Sequence, residues 1–277
     1  MGFLEAIVLG LIQGLTEFLP ISSSAHLRIA STFMGTGEDP GAAFTAIIQL
    51  GTETAVLIYF LPDIAHIVAS WFKALFGRTP RNDPNARLGW FIIVGSIPIV
   101  VLGLLFQKQI ETVFRSLWIV AITLIVFGIL LGVADLAGRK IYRLREMRWG
   151  QAIVLGLAQA LALVPGVSRS GATIAAGRAL GFERRAAARY SFLLALPAVF
   201  GSGLYELYGA LKSHSHEVFT WPETIAATVV AGVVGFLVIA FLMRYISKRS
   251  FLPFVIYRVL LGVALIVLLV LGIIPAR

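Results

Sequence analysis

Six stretches of this sequence, at 42–61, 88–106, 117–137, 190–211, 222–243 and 251–274, run for about twenty residues with no more than one charged residue each. A bilayer's hydrocarbon core, about 30 Å thick, is crossed by a helix of about 20 mostly apolar residues. Inside lipid every backbone N–H and C=O must be satisfied within the segment, which leaves α-helices or closed barrels as spanning structures. Runs of this length without the strict alternation of a barrel strand select helices. The sequence therefore predicts an all-α polytopic membrane protein with six transmembrane helices.

Composition agrees. The chain has 277 residues, 58% of them apolar and 13% charged, with a mean hydropathy of +0.91; soluble domains average about 45–50% and about 25%. There is no cysteine, so disulfides and thiolate metal sites are excluded. Glu5 stands where a cleavable signal peptide would carry positive charge, which argues against one. The net charge of +9 does not indicate nucleic acid, because the basic residues fall in loops beside apolar spans. Sixteen of the 23 Lys and Arg lie in four such segments: Lys73, Arg78, Arg81, Arg87; Arg139, Lys140, Arg143, Arg145, Arg148; Arg178, Arg184, Arg185, Arg189; and Arg244, Lys248, Arg249. If all four are cytoplasmic, the six spans alternate and both termini lie outside.

Two further apolar segments, 3–19 and 149–164, each stop at a proline, Pro20 and Pro165, and lead into a polar cluster and a second short helical stretch. They read as re-entrant helical hairpins, 3–35 and 149–181, entering from opposite faces; such broken backbone is tolerated where protein or water surrounds it. The two match in sequence. Ala6-Ile-Val-Leu-Gly-Leu11 recurs as Ala152-Ile-Val-Leu-Gly-Leu157, and at the same offset of 146 Gln13 falls on Gln159 and Ser22-Ser-Ser24 on Ser168-Arg-Ser170. The expected organisation is one integral membrane domain, 1–277, built as an inverted repeat, 1–137 and 149–277. In such folds half-helix ends meet near the midplane and form the site.

Each polar turn precedes a helix start, where free N–H groups and the positive dipole end favour an anion, phosphate above all. Arg169 adds a permanently charged fork suited to phosphate oxygens, and Ser168, Ser170 and Thr173 add hydroxyls. In the other turn Ser23 and His26 are three apart and share a face, as a nucleophile with its base or acid. Gln13 and Glu17, four apart, share a face of the entering helix. Glu17 suits a general base or an oxygen ligand of Mg²⁺. Ser22 and Ser24 read as caps or orienting groups, and Gly10 and Gly14 as a close helix contact. Glu53, mid-span, is either a partner of the site or half of a buried structural pair. Arg258 allows the same two readings, or a position near the cytoplasmic surface with its head group reaching water. His214 and His216 fit a solvated external loop better than a metal site.

Gln13-Gly-Leu-Thr-Glu17-Phe-Leu-Pro-Ile-Ser-Ser-Ser-Ala-His26, together with Pro165-Gly-Val-Ser-Arg169-Ser-Gly-Ala-Thr173, resembles the undecaprenyl-pyrophosphate phosphatases of the bacitracin-resistance type. Ile48-Gln-Leu-Gly51, Ser191-Phe-Leu-Leu-Ala-Leu-Pro197 and Pro253-Phe-Val-Ile-Tyr-Arg258 extend the likeness over essentially the whole chain. The resemblance implies a multi-pass enzyme of the bacterial cytoplasmic (inner) membrane. It would hydrolyse the C55 isoprenoid pyrophosphate to its monophosphate, recycling the lipid carrier of peptidoglycan synthesis and so conferring bacitracin resistance. It implies a divalent cation, Mg²⁺ or Ca²⁺, and a site opening on the outer, periplasmic face.

By position the resemblance puts the family's acidic motif on Gln13 and Glu17, its serine and histidine on Ser23 and His26, and its arginine on Arg169. Catalysis is expected of Glu17, Ser23, His26 and Arg169, and metal contact of Glu17 and Gln13. The reading of the turns adds Ser22, Ser168, Ser170 and Thr173 to Gln13 against substrate. Many members carry Glu at position 13, so Glu17 must supply the charge here. The attacking group, whether Ser23, His26 or water, is left open, and so is the oligomeric state, a homodimer included. An inverted-repeat transporter or flippase for a phosphorylated lipid fits the same repeat. The phosphatidic-acid type of membrane phosphatase does not fit, because no histidine follows Ser168-Arg169 at the required spacing.

Overall fold

A computed structural model of the chain describes residues 2–34, 40–111, 116–139, 141–212 and 218–276, without the side chains of Lys108 and Glu111. His214, His216 and Lys140 lie outside the described residues. Twelve helices are described: α1 (Phe3–Thr16), α2 (Ser23–Phe33), α3 (Ala42–Tyr59), α4 (Leu61–Leu75), α5 (Pro84–Leu105), α6 (Gln107–Glu111), α7 (Leu117–Ala137), α8 (Trp149–Ala160), α9 (Arg169–Ala179), α10 (Arg184–Lys212), α11 (Trp221–Tyr245) and α12 (Leu252–Val270). Among the described residues there is no β-strand. Six helices, α3, α5, α7, α10, α11 and α12, are long and apolar enough to cross a membrane. They leave leucines, valines and isoleucines such as Leu104, Leu136, Val229 and Leu260 exposed, as lipid-facing helices do. The protein is a multi-pass membrane protein.

The structure departs from the expected spans at two places. The stretch after the first span, read as loop, begins with α4, which Pro62 opens and Asp63 and Lys73 suit at its two ends. Helix α10 starts six residues before the expected span. Arg184 and Arg189 therefore belong to a helix, and Arg189 Nη2 lies 2.8 Å from Asp63 Oδ1. Arg178 and Arg184 are bound as well. Their Nε atoms reach Asp135 Oδ1 at 2.9 and 2.7 Å, while Asp135 Oδ2 accepts from Phe251 N at 3.2 Å. One carboxylate thus ties together the ends of α7, α9, α10 and α12. Part of what charge counting assigns to surface orientation is buried structure.

Helices α1 and α8, of 14 and 12 residues, span about 20 Å at 1.5 Å per residue, too little for the hydrocarbon core. Each packs tightly on a long helix. Gly10 of α1 lies against the Ala227 carbonyl of α11, and Gly156 of α8, at the 146-residue offset, lies against the Gly95 carbonyl of α5. A Cβ at either position would collide with that backbone, so these glycines set the helix separation.

Candidate functional site

Both short helices end in turns that start a second helix in the same way. Ser22 has φ +75° and caps α2, its Oγ accepting from Ala25 N at 3.4 Å. Ser168 has φ +69° and caps α9, accepting from Gly171 N at 3.1 Å. Each cap hydroxyl lies 3.1 Å from the hydroxyl two residues on, Ser24 and Ser170. The capping expected of Ser22 is therefore observed, and Ser168 repeats it.

The turns lie against each other. Ser170 Oγ donates to Leu19 O at 3.2 Å. Arg258, fully buried, binds both: Nη1 donates to Pro20 O at 3.1 Å, and Nη2 to Gly166 O at 2.8 Å and Val167 O at 3.0 Å. Its Nε reaches Leu124 O at 3.2 Å. The alternative of a head group reaching the surface is overturned, because these carbonyls inside the fold take its donors. Thr123 Oγ1 adds a bond to Pro165 O at 2.8 Å. Neither Thr123 nor the clamping role of Arg258 is readable from motif spacing; the one available signal was an arginine within an apolar span.

Glu17 is the hub. It follows the last residue of α1 and is 8% exposed. Its Oε2 accepts from Gln13 Nε2 at 2.7 Å and from Ser23 Oγ at 2.6 Å, and its Oε1 from Arg169 Nη2 at 2.5 Å. The same Arg169 nitrogen donates to Glu53 Oε1 at 2.6 Å. Glu53, left open by sequence, thus belongs to the site and reaches it from α3. Thr173, buried one turn into α9, donates to Arg169 O at 2.7 Å and hydrogen-bonds Ser191 Oγ; it supports the helix start that carries Arg169.

His26 pairs otherwise than the spacing suggests. Nδ1 lies 2.7 Å from Ser22 O and so carries the proton, because a carbonyl can only accept. Nε2 faces the Tyr257 hydroxyl at 2.6 Å, with the rings stacked at 5.5 Å. Burial holds the imidazole below its ordinary value; the Ser22 hydrogen bond opposes this and the charge of Arg258 adds to it. The partner of the Ser23 hydroxyl is thus Glu17.

The donor set fits a hard cation. Gln13 Oε1 and Glu53 Oε2 are buried oxygens without a hydrogen-bond partner, on side chains that are 0% exposed. Mg²⁺ is usually held by one or two carboxylates plus substrate phosphates, and the carboxylates of Glu17 and Glu53 meet at Arg169. Beside the turns, Ser24, Leu27, Thr45, Val120 and Pro165 line a small cavity of about 80 Å³. A larger apolar groove of about 560 Å³ runs between α3 and α11, past Thr54, Ala55, Val229, Gly232 and Phe236.

The family model "Bacitracin resistance protein BacA" matches residues 6–264. The undecaprenyl-diphosphatase of Micrococcus luteus is 60% identical over 277 residues, covering all of both chains. That of Paenarthrobacter aurescens is 58% identical, also over the full length of both. Undecaprenyl-diphosphatase 2 of Agrobacterium fabrum is 55% identical over 276 residues, spanning this whole chain and 99% of its own. With the family model matching most of its length and relatives this similar throughout, the chain belongs to the bacitracin resistance protein BacA family.

Proposed function

We propose that this protein is a membrane phosphatase that hydrolyses undecaprenyl pyrophosphate to undecaprenyl phosphate and inorganic phosphate. The observation that carries the chemistry is the Ser23 hydroxyl donating to Glu17 at 2.6 Å while Arg169 contacts the same carboxylate. A nucleophile, its base and a fixed cation are thereby assembled at two helix starts suited to phosphate. Ser23 Oγ attacks the terminal phosphorus and its proton passes to Glu17. The bond from that phosphorus to the bridging oxygen breaks, and the electron pair leaves on undecaprenyl phosphate. Water then cleaves the phosphoserine, and the proton held by Glu17 restores the Ser23 hydroxyl. The proton of that water passes through the Tyr257 hydroxyl to Nε2 of neutral His26, which Tyr257 faces at 2.6 Å, and leaves to solvent as inorganic phosphate departs.

Arg169 and the two helix N-termini bind and orient the phosphates, with Ser168, Ser170 and Ser22 shaping the turns and Thr173 supporting Arg169. Phosphoryl transfer is mostly positioning and charge stabilisation, which such a frame supplies. Glu17 and Gln13 would hold a divalent cation, Mg²⁺ or Ca²⁺, which neutralises phosphate charge when bound. The apolar groove between α3 and α11 suits the isoprenoid tail, since it is lipid-accessible and reaches within one residue of Glu53 in sequence.

The two short helix pairs, matched in sequence and in turn geometry, support an inverted repeat, 1–137 and 149–277, with both pairs dipping into the cytoplasmic membrane from opposite faces. The repeat fits either face; the family resemblance favours a site that opens outward, where spent carrier is released.

Phosphate release from undecaprenyl pyrophosphate by the purified protein in detergent, with no gradient, tests the activity against a transport role. Ser23→Ala and Glu17→Gln should each lower release by at least about a hundredfold without loss of folded protein. Substrate labelled in its terminal phosphate should leave label on the wild-type chain and none on Ser23→Ala. Activity retained in Ser23→Ala would refute Ser23 as nucleophile, and no release by wild type would refute the activity.

A further inference from the structure

Only one residue of the α1 pair facing the site carries charge, since position 13 is an amide. The structure supplies a second carboxylate from elsewhere. Glu53, on the middle of α3, is fully buried and places Oε1 on the Arg169 nitrogen that Glu17 also contacts. The carboxyl groups of two helices thus flank one guanidinium nitrogen, leaving one surplus negative charge at that contact. Arg258, the other buried cation nearby, directs the donors described above to backbone carbonyls rather than to these carboxylates.

The second observation concerns atoms rather than charge. Glu53 Oε2 and Gln13 Oε1 are both acceptors, both buried, and both without a donor. Buried polar atoms are nearly always partnered, and an orphan calls for an occupant. A cation coordinated by oxygen supplies one and also offsets the surplus charge.

We propose that Glu53 is the second carboxylate of the catalytic centre, completing with Glu17 and the Gln13 amide oxygen a three-residue oxygen set, drawn from α1 and α3, for a divalent cation. The proposal deepens the phosphatase reading and rests on it. It assigns Glu53 two tasks: ligating the cation through Oε2, and holding Arg169 at Glu17 through Oε1.

The test uses full-length protein in detergent with Mn²⁺ as a paramagnetic stand-in for Mg²⁺, its binding followed by electron paramagnetic resonance without substrate. Glu53→Gln keeps the shape and removes the charge; it should weaken Mn²⁺ binding by at least about tenfold. The exchange Gln13→Glu with Glu53→Gln, which returns a carboxylate to the same set, should recover most of that loss. Wild-type Mn²⁺ affinity in folded Glu53→Gln would overturn the proposal, leaving Glu53 as a partner of Arg169 alone. So would an exchange variant no better than the single one. Should Glu53→Gln not fold, Gln13→Glu alone decides: a carboxylate added to the set tightens Mn²⁺ binding severalfold, and unchanged affinity overturns the proposal. Phosphate release by the wild type, read separately, keeps the activity distinguishable. Release without Mn²⁺ binding would refute the cation set only, and absent release would refute the phosphatase reading.

Discussion

Ser22 and Ser168, 146 positions apart, adopt the same uncommon backbone, φ +75° and ψ 97° in one, φ +69° and ψ 115° in the other. They are the positive-φ residues other than glycine among the described residues. Such a conformation is costly for a side chain with a Cβ and persists where its surroundings require it. Here the requirement is visible: each hydroxyl caps the helix it starts and touches the hydroxyl two residues on. Ser168→Ala should lower stability by about 1 kcal/mol through the lost cap and reduce phosphate release further than that loss explains, because Arg169 is the first residue of the helix it starts. Thermal unfolding in detergent, read beside activity, checks it. Unchanged activity in Ser168→Ala would mean that the turn tolerates the loss.

Arg258 makes a stronger case for a shared frame. It joins Pro20 of one turn to Gly166 and Val167 of the other, so losing it orphans buried carbonyls in both, at about 1–3 kcal/mol each. Arg258→Met should therefore fold poorly. Arg258→Lys, which keeps the charge but not the forked reach, should fold with a lower unfolding temperature and lose at least about tenfold in phosphate release. Wild-type activity in Arg258→Lys would show that charge, not the clamp, is what the site needs.

The spans were legible because length and hydropathy decide them, and the paired turns because six residues recur with their polar tails. Glu17, Ser23 and Arg169 were legible as an unusual cluster, and they do meet. What spacing could not give were contacts between distant segments. Ser23 and His26 are three apart, yet the Ser23 hydroxyl turns to Glu17 and His26 to Tyr257, 231 positions away. Glu53 and Arg258 were visible only as ionisable residues in apolar spans, a signal of function or burial without a partner's name. Arg178 and Arg184 misled in the opposite sense, since a count of positive charge does not tell which are already neutralised by Asp135.

The tautomer of His26 fixes a pH dependence. Nδ1 donates to Ser22 O, so the neutral ring meets Tyr257 with an accepting Nε2. Because burial first of all holds this imidazole below its ordinary value near 6.5, the neutral form prevails at pH 7 and protonation begins only at more acid pH. If neutral His26 is the working form, phosphate release should fall on the acid side with a limb below pH 6.5. That limb should be absent from the residual activity of His26→Gln. A limb that persists in His26→Gln would assign the titration to another group.

Substrate length separates the phosphate site from the groove. Thr54 is exposed on α3 and lines the apolar groove between α3 and α11, next in sequence to the fully buried Glu53. Thr54→Trp would fill part of that groove without touching the carboxylates. If the isoprenoid tail lies there, KM for undecaprenyl pyrophosphate should rise several-fold with kcat little changed, since ground-state and transition-state binding of a remote tail are lost together. A fifteen-carbon isoprenoid pyrophosphate, whose tail extends less far along the groove, should be affected less. Equal effects on both substrates, or none on either, would place the tail elsewhere on the lipid-facing surface.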